Sequence, residues 1–162
     1  MLHVRPATPA DARAMAELLN EIIFEGGTTA ITTPVSRTDI EDWMHTDAQR
    51  SAWRLAEDDT GALMGFQWIA PHPDLPEDAC DIATFVHSGN TGLGVGSKLF
   101  EATLRAAHDL GYTWINANIR ADNAGGLAYY KSRGFEDYAE KRNVTLEDGT
   151  TVSKRLKRFD LR

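Results

Sequence analysis

Apolar positions along this chain recur at two periods, and the points where one gives way to the other mark its elements. Residues 3–7 alternate like a short strand and stop near Pro6 and Pro9. From Asp11, a capping residue, Ala14, Leu18, Leu19, Ile22 and Ile23 fall at helical spacing until Gly26 and Gly27 end the run. Thr38 precedes a shorter helix with Ile40, Trp43 and Met44 on its apolar side. Alternation returns in residues 52–56 and 63–70, joined across the turn residues Asp58, Asp59, Thr60 and Gly61. The stretch PHPDLPED is a loop, because proline cannot donate to a sheet ladder. Residues 81–87 (DIATFVH) read as a strand. A helix through Leu99, Phe100, Leu104, Ala107 and Leu110 follows and closes at Gly111. A strand at 114–118 and a helix at 124–132, stopped by Gly134, lead to a last hairpin of 135–146 and 150–161, turned at Asp148 and Gly149.

The order is therefore β-α-α-β-β-β-α-β-α-β-β. Strands that follow one another without a helix are antiparallel, whereas the strand–helix–strand unit from Asp81 to Asn118 is a right-handed parallel crossover. This predicts an α/β fold with a mixed, mostly antiparallel central sheet and helices on both faces. With no repeat or linker, residues 1–162 form a single domain. The last strands, residues 150–161 above all, would leave an exposed sheet edge, and a homodimer is the expected way of covering it.

Composition narrows the function classes. A net charge of −7 argues against nucleic-acid binding, which needs basic surface to displace counterions. The basic run at Lys154, Arg155, Lys157, Arg158 and Arg162 reads first as a solvated strand face, with an anionic ligand or partner as the sharper alternative. No apolar run approaches the length of a membrane span, and the opening residues lack a signal-peptide pattern. Cys80 is the only cysteine, so a disulfide framework and a thiol metal site are excluded. A cytoplasmic protein without a metal is the expectation.

The stretch NTGLGVGSKLF is chemically pointed. Gly92, Gly94 and Gly96 stand between a strand and a helix start, where free N–H groups and the helix dipole attract anions and missing side chains admit a phosphate. Two familiar phosphate loops do not fit: Ser97 occupies the third glycine of the dinucleotide fingerprint, and Ser97-Lys98 reverses the order of a P-loop. By itself the turn leaves a structural role open.

Some thirty residues on, the chain reads NAGGLAYYKSRGF. Together the two stretches resemble the GCN5-related N-acetyltransferase superfamily. Its loop pattern, Gln/Arg-x-x-Gly-x-Gly/Ala, falls on Thr91, Gly94 and Gly96. Its second motif falls on Asn123, Tyr129, Tyr130, Gly134 and Phe135. The opening VRPATPADA and the strand order are also similar, so the resemblance covers nearly the whole chain. Thr91 departs from the pattern; the family uses that position largely through its backbone N–H, which threonine keeps.

The resemblance implies acetyl-CoA as acyl donor, its diphosphate on the N–H groups of Gly92, Leu93, Gly94, Val95, Gly96 and Ser97. Its pantetheine arm would run between strands that splay apart, pairing with Thr84, Phe85 and Val86. A backbone N–H there would also polarise the thioester carbonyl. Tyr130 is implied as the acid that protonates the departing thiolate, Tyr129 as a packing residue, and Asn123 as a helix cap that also contacts the donor. For the base that relieves the attacking ammonium, Asp81 at the start of its strand leads, with Glu25, His87 and His72 as competitors. Cys80 is a buried thiol, since direct attack needs no covalent step. Residues 21–43, a helix, a Thr-rich loop and a short acidic helix bearing a tryptophan, are loosely similar to the phosphinothricin and methionine-sulfone acetyltransferase branch. That similarity implies a small, amino-acid-like amine as acceptor. A protein N-terminus or lysine as acceptor, and a non-catalytic acyl-CoA-binding module, are the alternatives.

Overall fold

Alternation along the strands sends two sets of apolar side chains to opposite faces of one sheet, and this decides where each helix packs. The computed structural model describes residues 1–87, 89 and 93–161. In chain order the elements are β1 (His3–Pro6), α1 (Ala12–Glu25), α2 (Arg37–His45), β2 (Ala52–Glu57), β3 (Leu63–Ala70), β4 (Ala79–Val86), α3 (Val95–Asp109), β5 (Trp114–Arg120), α4 (Ala124–Ser132), β6 (Glu136–Thr145) and β7 (Thr151–Asp160). They build one sheet in the order β1-β2-β3-β4-β5-β7-β6. Only β4 and β5 pair in parallel, across the α3 connection. The mixed, mostly antiparallel α/β architecture expected from the sequence is the one found.

On one face, Trp53, Leu55, Phe66 and Phe85 pack under α1 and α2 with Met15, Leu19 and Ile40. On the other, Ile69, Ile82, Ile115, Ala117 and Ile119 pack under α3 and α4 with Phe100, Ala107 and Tyr130. Neighbours such as Ile82 and Phe85, at odd spacing along β4, thus serve different cores. Val95 and Leu99 fix the first turns of α3 over Ala56 of β2.

Three expectations are corrected. The cap of α2 is Ser36, not a residue at 38: its hydroxyl accepts from Asp39 N at 3.0 Å and Asp39 accepts from Ser36 N at 2.8 Å, a capping box. At α1 the Asp11 carboxylate makes no side-chain cap; it accepts from both Arg5 Nη atoms at 2.8 and 2.9 Å and from Thr8 N at 2.8 Å. Arg5 therefore holds the Asp11 carboxyl down at about 2. Finally, residues 150–161 do not form the sheet edge. β7 lies inside, between β5 and β6, and the edge strands are β6 and, at the other end, β1. Glu136, Asp137, Glu140, Lys141 and Arg142 of β6 are all exposed, and charge of this kind blunts an edge.

No helix among the described residues is long and apolar enough to cross a membrane.

Candidate active site

Pairing between β4 and β5 begins at Ala79 with Trp114 and stops at Ile82 with Ala117. Both strands continue, β4 to Val86 and β5 to Arg120, but they bond only to their outer neighbours β3 and β7. The sheet is thus split between residues 83–86 and 118–120, and both lips carry main-chain groups without a sheet partner across the gap. Thr84, Phe85 and Val86 form one lip, as expected. The Phe85 side chain is committed to the core under α1 and α2, so its share in the gap is backbone alone.

The first turn of α3 stands at the gap's open end. Its opening N–H groups have no acceptor a turn earlier. Gly94 is the N-cap, at φ 79°, in the left-handed region that glycine adopts without strain. Leu93 beside it is exposed, whereas Val95 is buried against Leu99. Gly96 is glycine for another reason: a Cβ there would lie 2.6 Å from Cε1 of Tyr129. The missing side chain at 96 makes room for a tyrosine ring, a packing reason for this glycine besides the one expected from the sequence. Thr91 and Gly92 lie outside the described residues. Ser97 accepts a hydrogen bond from Arg133 Nη1 at 2.7 Å, and Arg133 Nε is buried without a partner among the described residues. A guanidinium with an unused donor therefore stands beside the helix mouth, a combination suited to a phosphate.

Below the gap runs a buried polar chain. Gln67 of β3 is fully buried, and its Nε2 donates to Thr84 Oγ1 at 2.9 Å and to Tyr129 OH at 3.1 Å. Tyr129 OH donates to the Gly96 carbonyl at 2.8 Å. Thr84 Oγ1 shares a hydrogen bond of 2.8 Å with Tyr130 OH. Gln67 Oε1 is buried with no hydrogen-bond partner among the described residues. An orphan acceptor next to unpaired strand edges fits a gap built to receive amide groups. Tyr129 is a clamp between α4 and α3 as well as a packing residue. Burial pushes its phenol up to about 12. Tyr130 is more buried and raised further, against the opposing effect of the Thr84 hydrogen bond.

Asp81 stands on the other face. It pairs with Asn116, whose Nδ2 donates to it at 2.9 Å, and Asn116 Oδ1 in turn accepts from Tyr138 OH. Burial raises the Asp81 carboxyl, with the Asn116 hydrogen bond, His72 and Lys154 acting the other way. Asp81 and Tyr130 thus flank the gap from opposite sides of the sheet.

Asn123 caps α4: its Oδ1 accepts from Gly126 N at 2.9 Å, while Nδ2 donates to Thr28 O at 3.0 Å. Arg120 Nη1 donates to Thr29 O at 3.1 Å, Thr32 Oγ1 accepts from Asp148 N at 3.2 Å, and Thr33 Oγ1 donates to Glu147 at 2.7 Å. The Thr-rich loop is strapped across the ends of β5 and α4 and over the β6–β7 turn. Of the competing bases, His87 pairs with Glu21 at 2.7 Å, and His72 lies in the β3–β4 loop 3.9 Å from Asp74. Glu25, at the exposed end of α1, lines a shallow depression with Glu17, Asn20, Glu21 and Phe24. Cys80 is buried, which pushes its thiol up to about 12. Among the described residues no cluster of His, Cys, Asp or Glu suits a metal ion.

Sequence reading missed Gln67, Arg133 and the threonine anchors. A glutamine inside the otherwise apolar LMGFQWIA strand was a signal for the first; the others have none, because their partners are distant in sequence.

The sequence profile described as "Acetyltransferase (GNAT) domain" matches residues 1–136. A Bacillus subtilis (strain 168) protein, YwnH, named provisionally as a phosphinothricin acetyltransferase, is 27% identical over 162 residues, 98% of this chain and 94% of its own. Among solved structures, a GNAT superfamily phosphinothricin acetyltransferase from Sinorhizobium meliloti in complex with acetyl-CoA superposes with a TM-score of 0.88 at 20% identity, covering 99% of this chain and 88% of that one. The Salmonella typhimurium protein yncA, described provisionally as an acetyltransferase and solved with its cofactor acetyl-CoA, gives 0.88 at 20% identity, covering 99% and 94%.

Proposed function

The chain belongs to the acetyltransferase (GNAT) family, acetyl-CoA-dependent acyltransferases, and from that premise we propose that it moves the acetyl group onto the primary amine of a small, amino-acid-like molecule by direct attack in a ternary complex. The observation that carries this reading is the split between β4 and β5, with a helix mouth at one end and candidate acid and base on its two faces.

Each residue's part follows from its place. The N–H groups opening α3 and the Arg133 guanidinium take the diphosphate. The lip at residues 84–86 pairs with the amides of the pantetheine arm as an added strand would, and one of its N–H groups faces the thioester oxygen. The amine arrives mostly as ammonium, and Asp81, directly or through water, accepts the proton it sheds. Burial that raises the Asp81 carboxyl makes it a better base at neutral pH. As nitrogen bonds to the carbonyl carbon, the carbon–sulfur bond breaks and its electron pair leaves on sulfur. Tyr130 then gives its proton to that thiolate and recovers one from solvent, into which the newly acylated nitrogen sheds its second proton. Thr84, bonded to the phenol, holds it toward the gap. Two copies that pair through the sheet would have to use one of its edge strands, β1 or β6.

The strap from Thr28 to Thr33 narrows the acceptor side, which suits a small molecule better than a peptide segment. Thiol release from acetyl-CoA with a panel of amines, together with titration of acetyl-CoA alone, tests the proposal. Acetylation of small amines over peptides is expected. Binding without thiol release from any amine would mean an acyl-CoA-binding module.

A further inference from the structure

A glutamine with no exposed surface sits on β3 directly opposite Thr84 of β4, and the reaction proposed for the gap gives it no part. Ile69 and Ile82, two residues away along each strand, belong to the core under α3 and α4. Gln67 and Thr84 therefore point to the same side of the sheet as Tyr130.

The polarity of this buried chain is fixed from one end. A carbonyl can only accept, so the bond of 2.8 Å from Tyr129 OH to Gly96 O uses the one proton of that phenol. Toward Gln67 the same oxygen can only accept, and the amide must present its NH2 group there, at 3.1 Å. A turned amide would set Oε1 against an oxygen with no proton to give. The second hydrogen of Nε2 goes to Thr84 Oγ1 at 2.9 Å. Among the described residues Thr84 Oγ1 has one further partner, Tyr130 OH at 2.8 Å. With Gln67 occupying a lone pair of Oγ1, the threonine proton has the Tyr130 oxygen as its acceptor. The proton of Tyr130 is then left without an acceptor among the described residues, at the edge of the gap.

We propose that Gln67 is a positioning residue for the proton transfer: through Thr84 it turns the Tyr130 hydroxyl outward, toward the departing sulfur, and keeps it there. The inference rests on the acetyltransferase reading and deepens it. When the O–H bond of Tyr130 breaks, its proton joins the lone pair on sulfur and a phenolate remains. That phenolate accepts the Thr84 proton in a charge-assisted bond, roughly twice as strong as a neutral one. Burial opposes the phenolate, and the Thr84 bond acts against burial. Without the amide, Oγ1 regains a free lone pair, and the phenol can donate to threonine and hide its proton from the gap. Tyr129 ties the other hydrogen of the amide to the first turn of α3, so the polarity starts from main chain that cannot reverse.

The test is a double-mutant cycle between Gln67→Met and Tyr130→Phe, read with acetyl-CoA and an amine that the wild type accepts. Methionine fills a similar volume and removes both N–H donors together with the unpaired Oε1, so Tm holds or rises. In the wild-type background Gln67→Met is expected to lower kcat by about tenfold. KM for both substrates and the acetyl-CoA dissociation constant stay within about twofold. In the Tyr130→Phe background there is no proton to aim, and the same substitution changes kcat by less than about twofold. Gln67→Leu reproduces the pattern. Unchanged kcat in Gln67→Met, an equal loss in both backgrounds, or loss of acetyl-CoA binding in both Gln67 variants overturns the assignment while the acetyltransferase reading stands. If Tyr130→Phe alone leaves thiol release unchanged, Gln67 has no acid to position and the assignment falls in the same way. Acetyl-CoA bound without acetylation of any amine overturns both.

Discussion

Gly96→Ala puts the geometry of the helix mouth to a quantitative test. The new Cβ would be 2.6 Å from Cε1 and 3.2 Å from Cζ of Tyr129, well inside ordinary contact. The ring has little room to retreat. Its hydroxyl is held by the Gly96 carbonyl and by Gln67, and its edge packs on Tyr130 with centroids 5.0 Å apart. Overpacking of this kind costs about 1–3 kcal/mol, and loss of one of the buried hydrogen bonds adds about 1 kcal/mol. Alanine is the better helix former by about 1 kcal/mol, which offsets part of this. The expected net loss is about 1–3 kcal/mol, and at about 2–4 °C per kcal/mol Tm falls by roughly 3–10 °C. Because the first turn of α3 must shift with the ring, acetyl-CoA affinity falls too. Thermal unfolding and calorimetric titration measure the two effects. In a Tyr129→Ala background the obstruction is gone, so alanine at 96 becomes neutral or stabilising, a coupling that a double-mutant cycle reads directly. Wild-type stability for Gly96→Ala, or the same penalty in both backgrounds, would refute the packing account of this glycine.

Further expectations follow from the two faces of the gap. Tyr130→Phe lowers turnover by more than tenfold with little change in acetyl-CoA affinity; unchanged thiol release would remove Tyr130 from the reaction. Asp81→Asn keeps the acceptor for Asn116 but loses the charge, so turnover collapses while stability rises. The sign follows from the raised carboxyl: its folding penalty is absent below the usual range near pH 4 and grows as pH rises through the elevated value. The variant therefore melts higher at pH 7 and about the same at pH 3, whereas wild-type turnover falls as pH drops through that value. Asn123→Ala removes the α4 cap and the tie to Thr28; about 1 kcal/mol is lost, and Tm drops by roughly 2–4 °C in a melting experiment.

Periodicity made the fold legible because each strand serves two cores at alternate positions, as Ile82 and Phe85 do, and each helix serves one. Glycine stops at 26, 111 and 134, all at positive φ, marked helix ends. Capping was less legible: Asp11 was claimed by Arg5, a partner that no local rule reveals. In the site, residues inside contiguous motifs were found by pattern. Gly96 shows the limit, since the motif located it while its physical reason, the Tyr129 ring, is a contact from another helix. The strap arises only when the ends of β5 and α4 and the β6–β7 turn come together, and strand register is not written in any single segment.

Consecutive residues of α4 touch both ends of the proposed donor path, Tyr129 at the carbonyl of Gly96 and Tyr130 at the hydroxyl of Thr84. In the proposed reaction one short helix would act as a gauge, fixing how far the phosphate grip stands from the sulfur to be protonated. On that reading a carrier of another length would be mismatched at one end whatever its acyl group, and selection for the donor would be a property of spacing, separable by mutation from the choice of amine.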